Sequence, residues 1–307
     1  MFDALLSQIL AVHLMAVNLA SAGPLVAVWL EWRGSRTGQD LLSAAGRTLA
    51  RLALLGLVIG VTLGVGMLLI AWGGGDEQLR SMLETVPAMR WWYVGGEILF
   101  SGGCLFAYWW YWDRLAGRRV WHRVLGIVAG TNLLYHFPLL FTALSVKMSR
   151  FQLRDLELDR QLYKTLMFDP EVFSRVMHHW LAAFAVAGAA VIAIGLRLKR
   201  PTPEEREADS TRLIGTGSRI ALLATVTQLP VGVWVLLQTP TASRENVLGG
   251  DSVTTVLFGV SILLALSLLQ SLFNLAMGEI TRGAAYRTIV QLVVVICLMT
   301  AVLGRMG

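Results

Sequence analysis

The sequence contains long runs without a single charged side chain, and these runs limit the folds that the chain can adopt. Six segments lack Asp, Glu, Lys and Arg altogether: 5–30, 52–75, 124–146, 176–196, 220–238 and 288–304. Each is close to the ~20 apolar residues that a helix needs to cross the hydrocarbon core of a bilayer. Two further segments, 91–112 and 252–278, are nearly as apolar. We therefore predict an all-α membrane protein with eight transmembrane helices.

Composition excludes several other classes of protein. A hydrophobic content of 55%, with only 15% charged residues, argues against a soluble protein. Both cysteines, Cys104 and Cys297, lie inside apolar segments, so there is neither a disulfide framework nor a CxxCH motif for covalent haem. The net charge of +6 comes from basic residues in short loops, where they set membrane topology. We therefore expect no nucleic acid among the partners.

The distribution of Lys and Arg predicts the orientation of the chain. Sixteen of the 26 basic residues lie in the alternate loops 33–51, 113–123, 197–219 and 279–287. Basic residues accumulate in loops on the cytoplasmic side. We therefore expect an integral protein of the bacterial inner (cytoplasmic) membrane with both termini on the outer, periplasmic side. The first apolar segment lacks a basic start and a cleavage site, so we expect a retained helix.

The two halves of the sequence resemble each other. RLALLGLV at 51–58 recurs as RIALLATV at 219–226, an offset of 168, and His13 and Gly23 match His178 and Gly188 at an offset of 165. An offset of four helices preserves orientation, so the repeats would be parallel. We predict two parallel-repeat four-helix bundles, in residues 1–146 and 176–307.

An outer amphipathic segment, 147–175, connects these bundles. Its charges alternate with apolar side chains, which is typical of an interfacial helix lying on the bilayer or of a lid or docking surface for an electron-transfer partner. The inner segment 200–212 is rich in charge and proline, and we interpret it as a solvated linker.

Four of the five histidines lie in or at the edge of apolar segments. His13 and His136 would lie roughly 12 and 15 Å deep, and His178 and His179 begin the fifth helix near the same outer face. An intramembrane histidine is costly unless it is paired, so each is a candidate site residue. The alternative for each is a hydrogen bond to a neighbouring helix.

Haem iron needs one or two axial ligands, usually His or Met, within an apolar cage. His13 with His136 would form such a site in the first bundle. In the second, Met299 would pair with His178 or His179. These two histidines point 100° apart, so at most one faces a given bundle core, and the internal repeat favours His178.

Other polar residues near the apolar segments are ambiguous. Glu97 is the only carboxylate predicted to lie well inside a span. We interpret it as a weak haem ligand, as a proton acceptor, or as a carboxyl group that reaches the outer interface. Gln228 and Pro230 could open a polar pocket or mark a kink. His122 lies among arginines in an inner loop and is interpreted as facing lipid headgroups.

A group of motifs resembles the haem-bearing large subunit of cytochrome bd-type oxidases, as a shorter and divergent member. The resemblance spans roughly residues 5–240 and is carried by Trp112-Asp113-Arg114-Leu115, Asn132-Leu133, His13, Phe168-Asp169-Pro170, His179 and Gly188-Ala189. It implies that His13 is a haem ligand. It also implies that His179, in preference to His178, binds a low-spin haem b.

We therefore predict a haem b-binding electron-transfer subunit of a respiratory complex, with one to three haems. The expected partners are a second membrane subunit, an extracytoplasmic c-type cytochrome docked on 147–175, and a quinol. An oxidoreductase activity linked to quinol or cytochrome is left open. The alternative is a haem-free membrane scaffold, or a proton or ion transporter subunit with the same fold.

Overall fold

Every long element of the chain is a helix. In the computed structural model, residues 2–70, 73, 80, 84–151 and 158–306 are described, and they contain no strand. The long helices are α1 (Phe2–Thr37), α2 (Asp40–Ile70), α3 (Ala88–Trp110), α4 (Arg119–Phe151), α5 (Pro170–Leu196), α6 (Pro203–Gln238), α7 (Ser252–Met277) and α8 (Arg282–Met306). The all-helical prediction is confirmed, and each helix coincides with one predicted segment.

Seven of these helices are long and apolar enough to cross a membrane, so the protein is an integral membrane protein. The exception is α3, whose 23 residues are sufficient in length. Its tryptophans, tyrosines and glycines give it a lower hydropathy than its neighbours, although aromatic residues are common at bilayer interfaces. The eighth crossing therefore stays a prediction.

Residues 203–212 of the inner segment 200–212 form the first turns of α6, so most of this segment is helical. α6 begins at Pro203 because the Thr202 hydroxyl accepts a hydrogen bond from the Glu205 N–H, and proline suits the first helical position. Glu204 and Glu205 also place negative charge against the positive end of the helix dipole. The first turns of α6 remain exposed, so the segment is solvated as expected.

Equivalent small residues bring helices together in both halves. A methyl group on Gly23 of α1 would lie 3.0 Å from the Ala53 Cβ in α2. The equivalent Gly188 of α5 lies as close to Ala221 of α6. Small residues of this kind let membrane helices pack at short distance. One apolar cluster draws on both halves, for example through Ala27 and Ala187, so the halves share a core.

The predicted outer connection 147–175 includes the end of α4, the start of α5 and, between them, a short helix, Arg160–Met167, whose N-terminus is capped by the Asp159 carboxylate. Leu158 and Leu166 are buried against α4 and α5. Burial raises the pKa of Tyr163, and the Arg90 guanidinium over its ring opposes that rise. Residues 152–157 lie outside the described residues. A lid or docking role for this segment stays a prediction.

The close approach of α5 and α6 gives a stability prediction. A methyl group on Gly217 would lie 2.5 Å from the Gly188 carbonyl oxygen, so Gly217→Ala must separate the two backbones. We expect a loss of about 2 kcal/mol in the free energy of unfolding, measured as a lower Tm in detergent. Gly259→Ala in α7 is the matched control, because open space surrounds Gly259. An unchanged Tm for Gly217→Ala would contradict this packing.

Candidate functional site

His13 is held in one tautomer by the backbone of α2. Its Nδ1 lies 2.9 Å from the Gly60 carbonyl oxygen, which can only accept, so Nδ1 carries the proton and donates. Gly64 lies beside the ring, where a methyl group would come within 3.2 Å of Cε1. The lone pair on Nε2 takes no part in this hydrogen bond and is available to a ligand. Metal-binding histidines are usually held in this way, with one ring nitrogen donating to a carbonyl.

His178 occupies the equivalent place in the second half but is held differently. Its ring lies beside Gly232 of α6, as that of His13 lies beside Gly64. Its Nε2 is 3.0 Å from the Gln228 side-chain nitrogen, which donates, so the proton of His178 is on Nδ1. That Nδ1 is buried without a hydrogen-bond partner in the described part of the chain. His178 would have to give up Gln228 before its Nε2 could bind iron.

His179 has no hydrogen bond to any described residue. α5, which carries His178 and His179, packs against α1, which carries His13. We call these three residues the histidine trio. Since an imidazole without a partner is costly in an apolar helix bundle, a ligand to its nitrogen would stabilise it.

His136 belongs to a different group of polar residues. It is half-buried on α4, with its Nε2 4.0 Å from a Glu97 carboxylate oxygen on α3. The Asn132 amide donates to Glu97 at 2.6 Å and to the Ser101 hydroxyl at 2.8 Å. No hydrogen bond joins His136 to His13 in the described part of the chain. The predicted pairing of these two histidines across one haem stays a prediction.

Met299 lies at about the depth of the histidine trio. The outer end of α8 meets the start of α1, where a methyl group on Gly304 would lie 3.1 Å from the Ser7 hydroxyl. The two helices are antiparallel here. Met299 lies about 8 Å inward from that contact and His13 about 9 Å inward, at 1.5 Å per residue. Met299 is half-buried, and its role as a ligand stays a prediction.

The interpretation of His122 as a headgroup-facing residue is wrong, because the side chain is 1% exposed. Its Nδ1 lies 3.1 Å from the Glu31 carboxylate and its Nε2 lies 2.7 Å from the Tyr108 carbonyl oxygen. The Tyr108 hydroxyl donates to the same carboxylate at 3.2 Å, and Arg123 lies 3.5 Å from its other oxygen. Together these residues form a buried polar cluster near the C-terminal ends of α1 and α3 and the N-terminal end of α4.

Sequence reasoning missed Glu31 in this cluster. Glu31 directly follows the uncharged segment 5–30, so it looked like a residue at the membrane surface. The position of Glu31 within α1 indicates its burial. The helix continues to Thr37, more than one turn beyond Glu31, and the aromatic residues at the end of α3 pack over the cluster.

The arrangement of helices is similar to that of a solved oxidase structure. The chain is similar in structure to the bd oxidase from Geobacillus thermodenitrificans, with a TM-score of 0.71 over 97% of this chain and 85% of that chain. The fold is that of a bd oxidase chain. At 14% sequence identity the likeness shows the fold alone. No protein-family model matches the chain, and no curated protein matches its sequence.

The histidine trio fits haem iron better than a bare metal ion. In the described part of the chain, no three His, Cys, Asp or Glu side chains are placed to hold a bare metal ion together, and the histidine trio is no exception. A bare ion such as zinc needs three or four protein ligands, whereas haem iron needs only one or two axial ligands. His13 and His179 can each offer one nitrogen without losing a hydrogen bond seen in the structure.

Proposed function

We propose that the chain is a haem b-binding electron-transfer subunit of a respiratory membrane complex, related to the large subunit of bd-type oxidases. The observation that carries the proposal is that two members of the histidine trio keep a ring nitrogen available: His13 has a fixed tautomer, and His179 has no hydrogen-bond partner among the described residues. The bd oxidase fold supports it. His179 is the ligand we favour in α5, because Gln228 already occupies the Nε2 of His178.

The residues of the chain would act by holding the haem and fixing its surroundings. Haem supplies an iron that accepts and releases one electron. The Gly60 carbonyl keeps the Nδ1 proton of His13 in place, so that Nε2 points its lone pair at a ligand. The hydrogen bond from Gln228 to the Nε2 of His178 would keep that nitrogen from the iron. The apolar faces of α1 and α5 would keep water from the rings, and Met299 is the candidate for a further residue that would hold the iron.

Glu97 and His136 would serve a separate role beside the trio. The Asn132 amide fixes one Glu97 oxygen, which leaves the other facing His136. This arrangement suits a proton acceptor or the edge of a further haem, up to the total of three. Both residues remain partly exposed, so they are open to water or to a partner subunit.

The proposal includes the predicted topology and partners. The chain would cross the bacterial inner membrane eight times in two four-helix bundles, 1–146 and 176–307, with both termini in the periplasm. A second membrane subunit would cover the exposed helix faces. A quinol or an extracytoplasmic c-type cytochrome, docked on 147–175, would exchange electrons with the haems in the outer leaflet.

Haem content tests this function. We expect the protein purified from its native membrane in mild detergent to show a Soret band and a reduced α-band of b-type haem. We expect acidified acetone to extract all of the colour, because the chain has no CxxCH motif. The pyridine haemochrome spectrum measures the haem per chain. A folded but colourless protein would contradict the proposal.

The alternative, a haem-free scaffold or ion transporter subunit, is favoured by one observation. The bonds from His13 to Gly60, from Gln228 to His178 and from Asn132 to Glu97 all join neighbouring helices, as structural polar groups in membranes do. It does not account for His179, which makes no hydrogen bond to a described residue. The colourless outcome of the haem measurement would favour this alternative.

A further inference from the structure

A cleft opens at the inner end of α3, away from the histidine trio. Its volume is about 290 Å³, and its lining residues are Arg47, Trp109, Trp110, Asp113 and Arg114. Arg47 comes from the first turns of α2, and the others come from the end of α3 and the turn that follows. This is the side of the membrane that carries most of the basic residues.

The wall of the cleft is aromatic and continues onto the outer surface of α3. The rings of Trp109 and Trp110 meet edge to face at 5.8 Å, and Phe106 stacks on Trp110 at 5.6 Å. Phe106 and Trp110 are both about half exposed, so they present an apolar surface where the bilayer would lie. Tryptophan at this position is typical of the boundary between acyl chains and headgroups.

The rim of the cleft carries one unbalanced positive charge. Arg47 is paired with Asp113 at 2.8 Å. Arg114 has no carboxylate partner among the described residues, and its guanidinium lies over the Tyr111 ring at 5.9 Å. An unpaired guanidinium can bind a phosphate through two parallel hydrogen bonds.

We propose that this cleft binds the phosphate headgroup of an anionic phospholipid. Arg114 binds the phosphate, and the acyl chains run along Phe106 and Trp110. The charges are complementary, since one free guanidinium faces one phosphate. Basic pockets between membrane helices on the cytoplasmic side are suited to such headgroups. The inference does not depend on haem.

Lipid retention by the purified full chain tests the proposal. We expect native mass spectrometry after delipidation and reloading to show phosphatidylglycerol bound more tightly than phosphatidylcholine. Arg114→Gln should weaken the affinity for phosphatidylglycerol about fivefold, because one basic residue near the surface is lost. Asp113→Asn should strengthen it, because Arg47 is released from its ion pair. A variant that merely misfolds would not produce this gain.

Two controls separate the cleft from other sources of anion binding. Arg206→Gln removes an exposed arginine at the start of α6 and should leave lipid affinity unchanged. Inorganic phosphate at the concentration of the lipid should not displace it, because it lacks the acyl chains that contact the aromatic wall. The proposal is overturned by equal phosphatidylglycerol affinity in Arg114→Gln and the unaltered chain, by equal binding of phosphatidylcholine, or by displacement with free phosphate.

Discussion

Replacing His179 by alanine is expected to remove one haem per chain, whereas His178→Ala leaves the haem content unchanged. The two residues are neighbours on α5, so each variant disturbs the same turn of helix. They differ in their partners, since His178 accepts a hydrogen bond from Gln228 and His179 has none from a described residue. His179→Ala removes a side chain that would hold the haem, and no covalent attachment would compensate for that loss. The haem per chain is measured from the pyridine haemochrome spectrum.

The same pair of variants contains its own control. Equal helix content by circular dichroism shows that any lost haem reflects a lost ligand and not an unfolded chain. Gln228→Ala frees the Nε2 of His178 and should also preserve the haem. If His178→Ala lost the haem and His179→Ala kept it, the assignment from the internal repeat would be right and ours would be wrong.

The sequence predicts how far along its helix each site residue lies, but it does not predict which residues lie beside it. Depth follows from the 1.5 Å rise per residue, so His13, His178 and His179 could be placed in the outer half of the membrane before any contact was known. The rotation of a helix about its axis is different. α5 is apolar on nearly every side, so its periodicity does not distinguish the direction of His178 from that of His179.

The hydrogen-bond partner of a side chain on a neighbouring helix depends on which helices pack side by side, and this sequence indicates that only weakly. His136 matched His13 in depth, yet its partner is Glu97 on α3, and the partner of His13 is a backbone carbonyl of α2. Every residue has a backbone carbonyl, so the sequence does not indicate which carbonyl accepts a hydrogen bond from His13. The small residues Gly60 and Gly64 were visible, but many glycines lie in these helices and few of them face a histidine.

The buried polar cluster gives the second large effect. We expect Glu31→Gln to destabilise the protein by about 3 kcal/mol, because it removes the only carboxylate that His122, Tyr108 and Arg123 contact together. Both ring nitrogens of His122 face acceptors. Removing the anion leaves the Arg123 guanidinium without the carboxylate that lies beside it. The measurement is the Tm in detergent, followed by circular dichroism.

Glu207→Gln is the matched control, because Glu207 lies exposed on the first turns of α6, and its Tm should equal that of the unaltered chain. The double variant Glu31→Gln, Arg123→Gln should lose less than the sum of the two single losses, because the second change removes a charge that the first left unpaired. Additive losses would mean that the carboxylate and the guanidinium act separately. A Glu31→Gln variant as stable as the unaltered chain would show that the cluster does not hold α1, α3 and α4 together.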